Sequence, residues 1–429
     1  MMDFVLASLY LIVWILTLAW YQYRNRHVDA GSAIMASYIG YAIFSLLTLA
    51  DDFFVYDNLR LFPYLYLYIM LMIALTPTIY HHLSPPERIE PPHTRVLLVP
   101  CMIVIVCGFL QLPGLIFNFK DGILELFTNA NAGQEAYSER LEEVRDTGTK
   151  INNLTAILFN MVFDCGVFLC FYLLTLKKKN LLFITCMLIA VFIGMVIPVT
   201  MGQRGTVITC ALTVVVGYML FRRFMAPRIN KAIQTVSIIA AIIIALPIGA
   251  ITVSRFGDRD GNVGIGGFIN WYIGQGNIYF NNSALNAGGI RYGDRTMNLF
   301  KRIVAPDTPK NYNERRDKYS MLEIDDYYFT TFVGDFVLDF GPVVAVVIFI
   351  VFNLYILTVI RPRDGTIKLH QMLALYFTMC ICMQGGMTLF MYSDTSNLKI
   401  IVFILLYVYL RYHDVLLQKF PLMKHEENR

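Results

Sequence analysis

Charge is what this chain has least of. Asp, Glu, Lys and Arg make up 15% of its 429 residues while 57% are apolar, against about 25% charged in a soluble domain. A soluble multidomain enzyme is thereby excluded. Cysteine outside apolar surroundings is missing as well: all eight (Cys101, Cys107, Cys165, Cys170, Cys186, Cys210, Cys380 and Cys382) fall inside apolar runs, where the thiol behaves as a small hydrophobe. Neither a disulfide framework nor a metal site is indicated. Internal repeats and low-complexity stretches are absent too. Residues 1–21 lack the basic start of a cleavable signal peptide and run into Arg24 and Arg26, so they read as an anchor. The net charge of +4 sits mostly in loops and argues for no nucleic-acid partner.

What is present is a set of eleven long apolar runs, near 3–21, 31–50, 62–80, 96–112, 151–176, 180–198, 204–221, 232–253, 334–360, 369–388 and 399–417. A hydrocarbon core about 30 Å thick takes roughly 20 apolar residues per helix, and backbone in lipid must satisfy its own hydrogen bonds. The reading is an all-α, polytopic integral membrane protein of about eleven spans, with ten to twelve as the range. Residues 1–253 form an N-terminal bundle of eight helices, 254–333 a large loop carrying short amphipathic helices, and 334–429 the last helices and a tail.

Alternate loops differ in charge. One set carries Arg24, Arg26, Arg88, Arg95, Lys177–Lys179, Arg222, Arg223, Arg228, Lys231, Arg361, Arg363, Lys368 and the tail from Arg411 to Arg429, 18 basic residues in all. The short loops of the other set hold Arg60, Arg204 and Lys399, with Asp51, Asp52 and Asp57. Positive charge stays cytoplasmic in short loops, which predicts an outside N-terminus, an inside C-terminus and two large outside loops, 113–150 and 254–333. All seven histidines map to the cytoplasmic side. A base working outside would then be a carboxylate.

Several residues on the outside ask for an explanation. Arg204, in Pro198-Val-Thr-Met-Gly-Gln-Arg-Gly-Thr206, puts a guanidinium at the start of a helix after a tight turn. A charge at that depth is a candidate for function unless it merely snorkels, and a helix N-terminus with Arg suits a phosphate. Ser254-Arg-Phe-Gly-Asp-Arg-Asp-Gly261 brings Arg255, Asp258, Arg259 and Asp260 to the same face, followed by Arg291, Arg295, Lys301, Arg302, Arg315 and Arg316. Converging arginines suit a pyrophosphate, although each one alone is more often a solvated loop charge. Asp335 and Asp339 stand at the outside end of the ninth run, and Asp164 is isolated near the middle of the fifth. Between them, Phe268-Ile-Asn-Trp-Tyr-Ile-Gly-Gln-Gly-Asn-Ile-Tyr-Phe-Asn-Asn282 mixes rings with amides. It would lie along the membrane interface with the amides toward water, as a working lid or as a plain anchor.

At Gly202-Gln-Arg-Gly205, Arg255, the Tyr272–Asn282 stretch and Asp339-Phe-Gly341, the chain resembles the O-antigen polymerases, or oligosaccharide repeat-unit polymerases. The resemblance implies a bacterial inner-membrane glycosyltransferase of the broad GT-C class, active on the periplasmic face without cofactor or nucleotide sugar. Its donor and acceptor would be undecaprenyl-pyrophosphate-linked glycans, its surroundings membrane lipids, and its partner a co-polymerase that sets chain length. On that reading Arg204, Arg255, Arg259, Arg291 and Arg295 hold the pyrophosphate and Asp258 or Asp260 accepts a proton. Tyr272, Gln275, Asn277, Asn281 and Asn282 would meet sugars, with Asp335 and Asp339 structural or catalytic. A flippase of lipid-linked oligosaccharide, a metal-dependent GT-C enzyme using Asp51 and Asp52, and a polymer ligase remain open beside it.

Overall fold

The computed structural model describes residues 2–51, 54, 56, 58–116, 154–177, 180–200, 203–256, 264–319, 322 and 328–413, and among these the chain is almost wholly helical. Eight of the described helices are long and apolar enough to cross a membrane. They are α1 (Met2–Asn25), α2 (Ala30–Leu49), α3 (Leu61–Leu83), α4 (Thr94–Phe109, its apolar stretch continuing to Ile116), α5 (Leu154–Thr175), α6 (Leu181–Thr200), α7 (Arg204–Phe221) and α13 (Pro342–Val359). The remaining predicted runs are helical as well: α8 (Pro227–Phe256), α14 (Leu369–Gln384) and α15 (Asp394–Arg411). The protein is an all-α, multi-pass membrane protein.

The ninth run differs from the single helix expected over 334–360. It is divided into α12 (Thr331–Phe340) and α13, with Gly341 between them at φ 79°, ψ 162°. That conformation is open to glycine and strained for other residues. Pro342 then supplies a preset φ and no N–H, which suits the first position of a new helix. The break turns what looked like the mouth of a long span into a short separate helix with its own buried face: Phe332, Val333, Asp335, Val337, Leu338 and Asp339 are all buried.

Contacts between connectors sort the helix ends into two faces. On one, Asp29 caps α2 by accepting from the Ser32 amide at 2.9 Å, and it is held by the Tyr21 hydroxyl at 2.8 Å and His82 at 3.5 Å. Arg222 donates to the Val28 carbonyl, and β1 (Arg88–Glu90) pairs in parallel with β2 (Thr366–Lys368). These connectors all belong to the set rich in Lys and Arg. On the opposite face Asp3 accepts from the Leu59 amide, Asn281 bonds Arg60, and the Tyr66 hydroxyl donates to the Pro342 carbonyl. The alternation read from charge therefore matches the geometry.

Within the membrane, lipid is as apolar as leucine, so helices associate through close packing and polar contacts rather than through water exclusion. One such contact joins distant spans: Lys399 of α15 lies 3.2 Å from Asp164 of α5. The aspartate that the sequence left isolated has a partner. Another is the helix α9 (Gly264–Asn282), which packs against α2 so closely that a Cβ on Gly274 would stand 2.4–2.5 Å from backbone atoms of Phe44 and Ser45. The Ser45 hydroxyl donates to the Gly274 carbonyl at 2.7 Å, and Asn277 donates to Ser45 at 3.2 Å. This segment is wedged into the bundle rather than laid along its surface.

Candidate functional site

The site grows from α12. The last carbonyls of a helix have no partner inside it, and here the amides of Arg291 and Tyr292 bond those of Leu338 and Asp339, both at 2.9 Å. The segment 291–297 is thus fastened to the end of α12. Asp339 and Asp335, four residues apart and so on one helical face, then bind the segment from the side. Asp339 accepts from the Arg295 amide at 3.0 Å and from the Thr296 amide and hydroxyl at 2.7 and 2.6 Å. Asp335 accepts from Arg295 Nε at 2.6 Å, from the Thr388 hydroxyl at 2.8 Å and from the Leu389 amide. Arg291, Arg295, Asp335 and Asp339 are all fully removed from solvent.

Two more carboxylates complete the network. Asp294, also fully buried, lies 2.6 Å from Lys301 and 3.2 Å from Lys318 and accepts from the Tyr319 hydroxyl. Asp394, at the start of α15, lies 2.5 Å from Arg302 and 3.1 Å from Arg315 and accepts from Asn298. These partners come from α10 (Asn298–Val304) and α11 (Tyr312–Asp317), short helices that carry basic residues in their last turns. Arg315 also donates to the Tyr392 carbonyl at 2.8 Å. The Arg291 guanidinium lies over the Tyr319 ring at 5.6 Å, and that of Arg295 over Tyr392 at 5.9 Å.

Among the described residues, Arg295 pairs with Asp335, Lys301 and Lys318 with Asp294, and Arg302 and Arg315 with Asp394, while the Arg291 guanidinium is wholly buried beside them. Burial draws the Arg315 pKa down, and Asp394 beside it works against that. Burial pushes Asp339 up to about 6, opposed by its bonds from Thr296 and the Arg295 amide. Among the described residues no group of three or more His, Cys, Asp or Glu is placed to hold a metal ion.

Beside the network lies an apolar cavity of about 210 Å³. Thr296 and Met297 form one wall, Phe332 and Phe336 of α12 another, and it continues between Phe349, Phe352 and Asn353 of α13, Ile381 of α14 and Ile400 of α15. Thr296 belongs to both: its hydroxyl bonds Asp339 and it lines the cavity. Charge and apolar space share a boundary.

The residues singled out in the sequence fare differently. Arg291, Arg295, Asp335 and Asp339 come together. Arg204 opens α7 and Arg255 stands in the last turn of α8, while Asp258, Arg259 and Asp260 lie outside the described residues. The amides of α9 turn inward, away from the aqueous side where they were expected. Asn281 clasps the Arg60 backbone with both its oxygen and its nitrogen at 2.8 Å, and Gln275 donates to the Tyr272 carbonyl and accepts from the Phe329 amide. Tyr272 meets Phe329 edge-on at 5.2 Å, and Asn282 is partly buried. Asp294, Asp394, Lys318 and Tyr319 escaped the sequence reading. The spacing Arg291-x-x-Asp294-Arg295 is a signal that could have found Asp294; nothing local points to the other three.

Compared with protein-family models, curated proteins and solved structures, the chain matches none.

Proposed function

We propose that the protein is a membrane glycosyltransferase that polymerises lipid-pyrophosphate-linked oligosaccharide repeat units into a surface polysaccharide, in the manner of the O-antigen polymerases it resembles. The observation that carries this reading is the shared boundary between a buried charge network that includes Arg291 and Arg295 and an apolar cavity. An anionic head on a long apolar tail is the ligand chemistry that needs both. By the charge of the opposite loops the face bearing the network would be the outer one, and by the resemblance the membrane would be the bacterial inner membrane and that face periplasmic.

The reaction moves the growing glycan from its undecaprenyl pyrophosphate to a hydroxyl of the incoming unit. The hydroxyl oxygen forms a bond to the anomeric carbon, the bond from that carbon to the pyrophosphate oxygen breaks, and the lipid pyrophosphate leaves with the electron pair. The hydroxyl proton passes to a carboxylate or to water. Fixed cations aimed at the departing pyrophosphate stabilise the charge that develops there, with little rearrangement at the moment of transfer. Arg291 and Arg295 supply this within the described network, and Arg204, Arg255 and Arg259 are the further candidates, with Asp258 or Asp260 as proton acceptor. Asp335 and Asp339 position Arg295 rather than touch the substrate. A chain-length co-polymerase is the partner this function implies.

A gel of surface polysaccharide from cells lacking the protein, complemented with wild type or Arg295→Ala, tests the reading. Collapse of the ladder to a single repeat supports it; an unchanged ladder removes it. A flippase is the second reading, favoured by the buried Asp164–Lys399 pair. It requires that the Asp164→Asn, Lys399→Gln double variant lose every repeat, whereas a polymerase retains at least one.

A further inference from the structure

Five aromatic rings form a continuous run at the face that carries the charge network. Phe54 stacks on Trp271 with centroids 5.4 Å apart and planes 2° from parallel, and Trp271 meets Tyr328 edge-on at 6.0 Å. Tyr328 stacks on Tyr279 at 3.9 Å, and Tyr279 meets Tyr56 edge-on at 5.8 Å. The rings come from three places in the chain: the connector between α2 and α3, the helix α9, and the residues leading into α12. Each is only partly buried, so the run is not simply core.

Two observations indicate what it accepts. Among the described residues, the Trp271 indole N–H and the Tyr56 hydroxyl are enclosed in the run without a hydrogen-bond partner, although such groups, when buried, ordinarily find one. Burial and the neighbouring phenols push the Tyr56 pKa up, so its hydroxyl keeps its proton and remains a donor. The second observation is a shared residue. Tyr328 places its ring in the middle of the run while its carbonyl oxygen accepts from the Arg295 guanidinium at 3.4 Å.

We propose that this run is the docking platform for the acceptor glycan, which lays the C–H faces of its pyranose rings on the aromatic surfaces and offers hydroxyl oxygens to Trp271 Nε1 and Tyr56. A lipid chain satisfies the rings but leaves both donors unpaired, whereas a sugar provides an apolar face and acceptors at once. Because Tyr328 also holds Arg295, a glycan seated there brings its leading hydroxyl beside the group proposed to hold the leaving pyrophosphate. The identity of the glycan as acceptor rests on the polymerase reading; the platform itself does not.

The test uses the full chain in detergent micelles and an oligosaccharide pool cut by mild acid from the surface polysaccharide of the host cell. Titrating the pool is expected to quench tryptophan emission in a saturable way, and Trp271→Phe is expected to abolish the change while Trp14 and Trp20 still emit. Tyr328→Ala should weaken binding about tenfold, the loss of one stacked ring, and Phe54→Leu, at the end of the run, should weaken it with little effect on unfolding temperature. Absence of a saturable change at millimolar oligosaccharide, or binding that survives both Tyr328→Ala and Phe54→Leu, overturns the platform. Saturable binding in a protein whose loss leaves the cellular ladder intact keeps the platform and removes the polymerase.

Discussion

Arg295 Nε lies 2.6 Å from Asp335 Oδ1, with both side chains wholly out of solvent. Withdrawing two charges from water is costly, and removing one partner of such a pair costs roughly 3–5 kcal/mol because the other is left buried and uncompensated. Arg295→Ala is therefore expected to lower the unfolding temperature in micelles and, under the proposed function, to collapse the polysaccharide ladder as well. Arg295→Met combined with Asp335→Asn separates the two effects. Asparagine keeps an acceptor for the Leu389 amide and the Thr388 hydroxyl, so stability should largely return while the ladder stays collapsed. A double variant that regains the ladder would show that the guanidinium serves only to hold the fold.

Asp339 gives the network a pH dependence. Its pKa is raised from 3.8 to about 6 by burial, so folding favours the protonated form. The sign follows: the stability this group contributes is fully present below about pH 4 and is lost as pH rises through 6. A shift of that size corresponds to about 3 kcal/mol at most. Asp339→Asn is expected to flatten the slope of unfolding temperature between pH 4 and 6 relative to wild type, whatever it does to the absolute value. Parallel slopes in the two proteins would place the titration elsewhere.

The contact of α9 with α2 predicts a steep size dependence at one position. Any side chain on Gly274 must displace the backbone of Phe44 and Ser45 and the bond from Ser45 to the Gly274 carbonyl, and crowding of that kind costs about 1–3 kcal/mol or more. Gly274→Val should lower stability sharply. Gly40→Ala, on the same helix α2 but with nothing within 4 Å of the added Cβ, should be neutral or slightly stabilising, since alanine is the better helix former by about 1 kcal/mol. Equal unfolding temperatures for Gly274→Val and wild type would contradict the packing.

The helices and their two-faced arrangement were legible because length, apolarity and loop charge are local properties. Each of the eleven runs contains a helix among the described residues, and the basic connectors meet one another through Asp29, Arg222 and the β1–β2 pair. The break at Gly341 was not read, because Phe340-Gly-Pro342 lies in an otherwise continuous apolar run and only the positive φ reveals its role. Arg291 and Arg295 were legible as excess charge, yet their partners were not. Asp294 is close in sequence, but Asp394 comes from a helix almost a hundred residues further on, and nothing local announces that pairing. The amides of α9 misled for a related reason. Asn281 and Asn277 have the composition of a sugar-binding surface, and only the approach of Arg60 and Ser45 shows that their hydrogen bonds are already committed.

The cavity offers a test in which stability and function move in opposite directions. Asn353 is 4% exposed, donates to the Phe349 carbonyl at 2.8 Å, and has an Oδ1 without a partner in the cavity wall. A buried acceptor left unpaired costs about 1–3 kcal/mol. Asn353→Leu removes it and adds apolar contact, so the variant should unfold at a higher temperature than wild type. The same change narrows a space that the proposed function gives to the lipid tail. Surface polysaccharide from cells carrying the stabilised variant should then show a shorter or weaker ladder at equal protein level. If the ladder is unchanged while stability rises, the cavity plays no part in holding the carrier, and the polymerase reading must rest on the charge network alone.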